Sequence, residues 1–156
     1  MGHGGHGGIE VAGAAALGQA LTGMIASLNA ATRTATAQAA HLVEREIKVE
    51  LARTSHPRGT PTPSSPGEPP SLVTGTLRRS ITVKGPAPLG TGRWAASIGP
   101  TAVYGRIQEL GGVTGRGGAT ELPPRPYVRP AYERLVRTGV LTRLYSSAWH
   151  AAMNRH

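Results

Sequence analysis

Residues 9–53 read IEVAGAAALGQALTGMIASLNAATRTATAQAAHLVEREIKVELAR and contain no proline. Apolar side chains recur every seven residues along this stretch. The stripe consists of Leu21, Leu28, Ala35, Leu42 and Val49, with Leu17, Met24, Ile25, Ala39 and Glu46 at neighbouring positions. Such a spacing keeps side chains on one face of an α-helix. We therefore predict a long N-terminal helix.

The length of this helix raises a question about its surroundings. At about 1.5 Å per residue, some 40 helical residues reach roughly 60 Å, beyond the width of a domain of this size. The helix is expected either to break near its middle or to project towards another subunit. Gly13, Gly18 and Gly23 each weaken the first half by roughly 1 kcal/mol relative to alanine. That half is expected to depend on a neighbour.

The segments on either side of the helix differ from it in composition. Residues 1–8, MGHGGHGG, are expected to form a flexible arm because glycine loses the most conformational freedom on ordering. Residues 54–70, TSHPRGTPTPSSPGEPP, contain six prolines and almost no apolar side chain. They predict a loop that buries nothing. Residues 71–156 then form the rest of a single structural domain.

A small antiparallel sheet is predicted in the middle of the chain. The Thr74 side chain offers an oxygen at the start of a single helical turn over residues 75–79. Apolar and polar residues alternate in two stretches that follow, 80–84 and 93–98, which predicts a β-hairpin whose loop spans residues 85–92. The fold class is therefore α+β, with the long N-terminal helix, a small antiparallel β-sheet with long loops and a C-terminal helix.

The last third of the chain predicts one further helix. Residues 104–110 suit a short helix or a strand, and residues 113–126 are expected to be a flexible excursion. Pro130 pre-sets a helical φ at a first-turn position. The apolar face of the C-terminal helix is marked by Tyr132, Leu135, Val136, Val140, Leu144, Tyr145 and Ala148.

Composition favours an oligomer with a basic surface. The 156 residues include 22 glycines, 13 prolines and no phenylalanine, so a lone monomer has few large apolar groups to bury. The net charge is +9, and its excess lies entirely in residues 54–156. Such a field attracts nucleic acid, an anionic membrane or an acidic partner protein. A GC-rich genome also encodes such an arginine-rich, Ala-, Gly- and Pro-rich chain without selection for binding.

Catalytic and metal chemistry find little support in the sequence. Cysteine is absent, which excludes a thiolate nucleophile, a thiolate zinc site and a disulfide. Aspartate is absent as well. We interpret Glu44, Glu46 and Glu50 as a solvated helix face instead of an acid/base pair. His3 and His6 supply only two ligands for a metal on a glycine arm. We expect no enzyme and no cofactor.

A membrane span is not predicted. The uncharged stretch 11–32 contains several polar residues and glycines, and residues 1–10 lack the cationic lead of a secretory signal. A cytoplasmic product without a membrane partner fits best.

Three stretches, taken in order, resemble a family of tailed-bacteriophage neck and tail-completion proteins. Residues 74–81 read TGTLRRSI, where the family has a turn residue, Thr-Gly, a variable position, Leu-Arg-Arg-Ser and an aliphatic residue. Ile98-Gly99, Tyr104 and Glu109-Leu110-Gly111 resemble the family's second motif, with Leu110 in place of its phenylalanine. Residues 124–131 read PRPYVRPA, similar to the Ala-Arg-Pro-Phe-Leu-Arg-Pro-Ala that precedes the family's last helix.

The resemblance covers residues 72–135, and it implies a structural role. Members of this family form rings, commonly sixfold, at the head–tail junction of the virion, and the genome passes through the lumen. The partners implied are further copies of this chain in a hexamer, other neck or tail proteins (stopper, adaptor, terminator or tail tube), and double-stranded DNA. Candidate subunit-interface or channel residues are Thr74, Gly75, Leu77, Arg78, Arg79, Tyr104, Arg106, Glu109, Arg116, Arg125, Pro126, Tyr127 and Arg129.

Two roles are open for the arginines of the second half. They lack accompanying aromatic side chains on which bases could stack, so they suit either a positive surface near duplex DNA or pairing with carboxylates of adjacent subunits. We favour subunit pairing. The alternative function is a basic nucleic-acid-binding protein, motivated by the +9 charge and the step Arg116-Gly117-Gly118.

Overall fold

The computed structural model describes residues 7–54 and 56–155, and side chains from residue 13 onwards. It has the predicted α+β fold, with a long N-terminal helix, small antiparallel sheets and helices at the C-terminal end. The elements are α1 (Gly7–Glu50), α2 (Thr76–Ser80), β1 (Ile81–Gly90), β2 (Arg93–Pro100), α3 (Gly105–Leu110), β3 (Gly112–Thr114), a 3₁₀ turn (Arg116–Gly118), β4 (Thr120–Leu122), α4 (Val128–Arg137) and α5 (Val140–Met153).

The long helix starts earlier than predicted and does not break. Gly7 and Gly8, assigned to the arm from sequence, belong to α1, whereas His3 and His6 lie outside the described residues. Its 44 residues span about 66 Å at 1.5 Å per residue. Residues 13–22 are exposed throughout, so the first half of α1 projects beyond the body of the protein.

The predicted apolar stripe of α1 has the wrong phase. Leu21 and Val49 are 49% and 39% exposed, and Ala35 is the one stripe residue that is fully buried. The buried face instead runs through Ala40 and Ile47. A strict seven-residue spacing drifts around a straight helix by about 20° per repeat, so over the four repeats from Leu21 to Val49 the stripe leaves the face on which the other elements pack.

The predicted hairpin is confirmed, but its loop is much shorter. β1 and β2 pair antiparallel with Ile81 opposite Pro100 and Val83 opposite Ile98, and the pairing continues to Gly90 opposite Arg93. Most of the expected loop therefore lies in the strands. Its prolines fit because the register shifts between Lys84 and Ala87, beside the cis peptide bond Gly85–Pro86.

One tryptophan holds the hairpin against α1. The indole N–H of Trp94 donates a hydrogen bond of 2.9 Å to Oδ1 of Asn29. The guanidinium of Arg33 lies 5.6 Å from the centre of the same ring, within the range of a cation–π contact. The hairpin therefore covers the middle of α1 and leaves its start free.

The segment 113–126 is not the flexible excursion predicted from sequence. Its first part forms a second two-stranded antiparallel sheet, in which Val113 lies opposite Glu121. The 3₁₀ turn connects the two strands, with Gly117 at a φ of 71°. Of the two predicted alternatives, a short helix or a strand, residues 105–110 adopt the helix, which is α3.

The single predicted C-terminal helix is two helices. Gly139, at a φ of 65°, separates α4 from α5, and glycine adopts this left-handed conformation without a steric penalty. Helix α5 packs on α1 through its aromatic side chains. Tyr145 Oη donates to Thr36 Oγ1 at 3.0 Å, and Trp149 Nε1 donates to Thr32 Oγ1 at 3.0 Å.

The core lies where the end of α1 meets β1 and the start of α4. It consists of Ile47, Leu51, Ile81, Tyr127 and Ala131, bordered by partly buried apolar side chains including those of Val43, Leu77, Ile98 and Val128. The proline-rich segment forms no helix or strand at residues 54 and 56–70, as predicted, yet Ser64 and Pro70 are buried, which corrects the expectation that it buries nothing. No helix in the described part of the chain is long and apolar enough for a membrane span.

Candidate functional site

The second and third of the three motifs meet at the start of α4. The backbone N–H of Arg125 donates to the carbonyl of Gln108 at 2.7 Å, and the hydroxyl of Tyr127 donates to the carbonyl of Gly105 at 2.9 Å. Residues separated by about 20 positions therefore form one rigid junction. Its central group is the side chain of Glu109.

Glu109 closes the N-terminal end of α4 from outside that helix. Its Oε2 accepts the backbone N–H groups of Tyr127 at 2.7 Å and Val128 at 2.9 Å, and its Oε1 accepts that of Arg129 at 3.0 Å. The first amides of a helix have no intrahelical partner, and a carboxylate is favourable at this positive end of the helix dipole. This glutamate was predicted as an interface or channel residue, and the geometry gives it an intramolecular role.

Tyr127 is a core residue of the same junction. It is fully buried, and burial, followed by the charge of Glu109 and the proximity of Tyr104, raises the pKa of its hydroxyl well above the usual range. The hydroxyl therefore remains protonated and acts as a donor to Gly105. This arrangement holds α3 against α4.

Gly105 is required by close approach at the junction. A Cβ at this position would lie 2.6 Å from Cβ of Pro100 and 3.1 Å from the hydroxyl oxygen of Tyr127. We expect Gly105→Ala to lower the free energy of unfolding by about 2 kcal/mol, because the rigid proline ring cannot move aside. Gly99→Ala is the control, since nothing lies within 4 Å of its added Cβ. Equal urea midpoints for the two variants would contradict this packing argument.

The first motif is tied to the end of α1 and to its own turn. Arg78 Nε donates to the carbonyl of Lys48 at 3.0 Å, in the last turn of α1, where a cation is favourable at the negative end of the helix dipole. Arg79 Nη1 donates to the carbonyl of Thr74 at 3.0 Å. Gly75 has a φ of 75°, which favours glycine. Both arginines remain exposed, so their outer faces are accessible to a partner.

Thr74 and Leu77 have local roles in the first motif. Thr74 Oγ1 accepts the backbone N–H of Thr76 at 3.3 Å, so the predicted side-chain oxygen is at the start of α2, which runs one residue later than expected. Leu77 packs against the core. These residues shape the turn that leads into β1.

Arg125 of the third motif is buried. It is 9% exposed, and its Nε donates to the carbonyl of Ser64 at 2.9 Å. This bond and a second one, from the N–H of Gly67 to the carbonyl of Pro124, fasten the proline-rich segment to the junction. Pro126, half-buried, connects this anchor to Tyr127.

Seven of the candidate residues lie on the surface: Thr74, Arg78 and Arg79 of the first motif, and Tyr104, Arg106, Arg116 and Arg129. Arg129 Nε contacts Glu133 Oε1 at 2.8 Å, and that hydrogen bond raises the pKa of the arginine. Arg116 lies in the 3₁₀ turn between β3 and β4. The structure thus divides the thirteen candidates into six residues of the folded framework and seven accessible side chains.

An apolar groove lies next to the exposed arginines. It has a volume of about 630 Å³ and is bordered by Val103, Leu110 and Tyr132, which are 97%, 63% and 51% exposed. Arg106 and Arg129 also border it. A second apolar surface follows the projecting part of α1, where Leu17, Leu21 and Ile25 are exposed at helical spacing. The groove was not identified from sequence, because exposure depends on how the elements pack, whereas the side chains of the α1 surface belong to the predicted apolar stripe.

A partly buried ion-pair cluster was also missed. Arg134 of α4 contacts Glu46 at 3.2 Å and makes a short contact with Glu50, and Arg53 approaches Glu50 at 3.7 Å. The hydrogen bond from Glu50, with a further one from Glu46, raises the pKa of Arg134 against the opposing effect of burial. The glutamates are 18% and 10% exposed, so the predicted solvated face is wrong.

No group of three or more metal-ligating side chains is found within residues 7–54 and 56–155. The chain was also compared with family models, curated proteins and solved structures, and nothing matches it.

Proposed function

We propose that this protein is a structural subunit of the neck of a tailed-phage virion, which forms a ring that joins or completes the tail at the head–tail interface around the DNA channel. The observation that carries the proposal is the junction at α4. The motif residues Glu109 and Tyr127 bond across to each other's segments, so the stretches that resemble the neck family fold into one framework. A framework held by shape and hydrogen bonds suits assembly.

Exposed apolar surfaces support self-association. A ring requires heterologous contacts, in which one face of a subunit meets a different face of the next. The chain offers two separate apolar surfaces. One is the projecting part of α1 that carries Leu17, Leu21 and Ile25, called the α1 arm below, and the other is the groove beside Tyr132. Contiguous exposed apolar patches commonly mark interaction sites. The arm of one copy is long enough to reach a neighbour, since it projects beyond the body of its own subunit.

Self-assembly of the chain is expected to depend on the α1 arm. We expect the purified full chain to assemble, and Leu21→Glu combined with Ile25→Glu to shift it to a monomer, because the charges would be desolvated in the contact. The control Gln19→Glu introduces a carboxylate on another face of the same exposed helix. Native mass spectrometry measures the assembly. The proposal of an arm contact is wrong if the double variant keeps the parental mass.

The functional experiment is gene inactivation in the phage or prophage that carries this chain. The proposal predicts DNA-filled heads and separate tails in the lysate, and joined particles when the chain is supplied in trans. Electron microscopy distinguishes these outcomes. Normal yields of complete virions without the chain would overturn the proposal.

The second candidate function is a basic nucleic-acid-binding protein. It is favoured by exposed arginines such as Arg93, Arg106 and Arg116 together with the net charge of +9. Fluorescence anisotropy with a short DNA duplex tests it across a range of salt concentrations. Binding by a monomer with a steep salt dependence favours this candidate, because each neutralised phosphate releases counterions. Absence of duplex binding by the monomer favours the structural role.

A further inference from the structure

A half-open cavity of about 310 Å³ lies beside the junction, between the proline-rich segment and the α2 turn. Its walls include the apolar side chains Leu51, Leu72 and Leu77. Ser64 and Arg125 contribute polar groups, and Gln108 borders the same space. The hydrogen bonds that build the α4 junction leave this cavity open.

Arg125 is a largely buried residue that lines the cavity, and it has no paired carboxylate in the described part of the chain. The residue is 9% exposed, and its Nε donates a hydrogen bond to the carbonyl of Ser64. None of the carboxylates in the described ranges forms a salt bridge with it. A guanidinium carries five N–H donors in a planar fork, and a buried charge is costly unless it is paired.

Ser64 supplies a second unsatisfied group at the same place. It is 2% exposed, and within the part of the chain that the structure describes its hydroxyl oxygen has no hydrogen-bond partner. Buried hydroxyls are almost always bonded, so an exception needs an explanation. Ser64 and Arg125 adjoin each other in the lining of the cavity, because Nε of Arg125 donates to the carbonyl of Ser64. One incoming acceptor with two oxygens would satisfy both residues.

We propose that this cavity binds a carboxylate side chain of a partner polypeptide. Two parallel N–H···O bonds from Arg125 match the geometry of a carboxylate, and the Ser64 hydroxyl donates a third. The leucine walls suit the aliphatic stem of a glutamate. The cavity, with a volume of about 310 Å³, has room for a side chain but not for a DNA duplex. The cavity thereby becomes a docking point for an acidic segment, independent of whether the chain closes into a ring.

The test is an NMR titration of the ¹⁵N-labelled full chain, followed at the Nε–Hε resonance of Arg125. The probe is N-acetyl-glutamate α-amide, with the glutamine analogue as its neutral isostere and inorganic phosphate as a second anion. We expect a saturable shift with a Kd of about 1 mM, in the range for a small ligand, and at least tenfold weaker binding of the glutamine analogue and of phosphate.

Two variants separate binding from folding. Ser64→Ala removes an unbonded hydroxyl, so it is expected to stay folded while its affinity for the glutamate probe falls several-fold. Arg125→Gln is expected to abolish the shift seen at neighbouring backbone amides. The proposal is overturned if the glutamate probe gives no saturable shift, if the glutamine analogue or phosphate binds equally well, or if Ser64→Ala binds like the parent. None of these outcomes depends on virion assembly.

Discussion

Replacing Glu109 with alanine is expected to lower the free energy of unfolding by about 3 kcal/mol. The carboxylate accepts the backbone N–H groups of Tyr127, Val128 and Arg129. Its removal leaves these three amides without a partner at the start of α4, where two of the bonds are partly buried. The loss exceeds that of an ordinary helix cap because the same side chain also connects α3 to α4.

Urea denaturation at a fixed protein concentration measures this loss, since assembly itself shifts apparent stability. Glu109→Gln is expected to fall between the parent and the alanine variant, because the amide oxygen still accepts but carries no charge. Glu133→Ala on α4 is the control, since that carboxylate is 56% exposed and pairs with a surface arginine. If Glu109→Ala and Glu133→Ala prove equally stable, the junction does not depend on Glu109.

Replacing Arg134 with alanine is expected to cost about 3 kcal/mol, the second large effect. Arg134 is the cation that neutralises Glu46 and Glu50, and Glu50 is only 8% exposed. Without it, the Glu50 carboxylate is buried with Arg53 at 3.7 Å as its remaining partner. Removing one partner of such a cluster is costly because the other charge stays desolvated.

Arg137→Ala is the matched control for Arg134→Ala, since it removes an exposed arginine one turn later on α4. We expect its unfolding free energy to stay within about 0.5 kcal/mol of the parent. The double variant Arg134→Met, Glu50→Met tests the same point differently, because it removes the most buried carboxylate of the cluster together with its arginine and leaves only Glu46 unpaired. It should be more stable than Arg134→Ala. A double variant as unstable as the single one would argue against the ion-pair explanation.

The elements with strong local patterns were predictable from sequence. The absence of proline over residues 9–53 fixed the long helix, and alternation of apolar and polar residues around Ile81 and Ile98 fixed the hairpin. The three-residue strands β3 and β4 escaped prediction because they are exposed and carry no apolar alternation. The division of the C-terminal helix into two could have been predicted from Gly139, since glycine is disfavoured inside a helix.

The site was less predictable than the fold. Its motif residues were identified, yet their roles depend on contacts between distant positions that carry no sequence signal. Arg134 meets Glu50 across 84 residues, and Arg125 meets Ser64 across 61. The burial of Arg125 follows from the packing of the proline-rich segment. The composition of that segment predicted only a loop that buries nothing.

Immunoelectron microscopy of purified virions, with antibodies against this chain, tests the central claim most directly. The neck proposal predicts label at the junction between head and tail, in a position that the tail covers or adjoins. Complete particles that carry no copy of the chain, or that carry it only inside the head with the DNA, would contradict it.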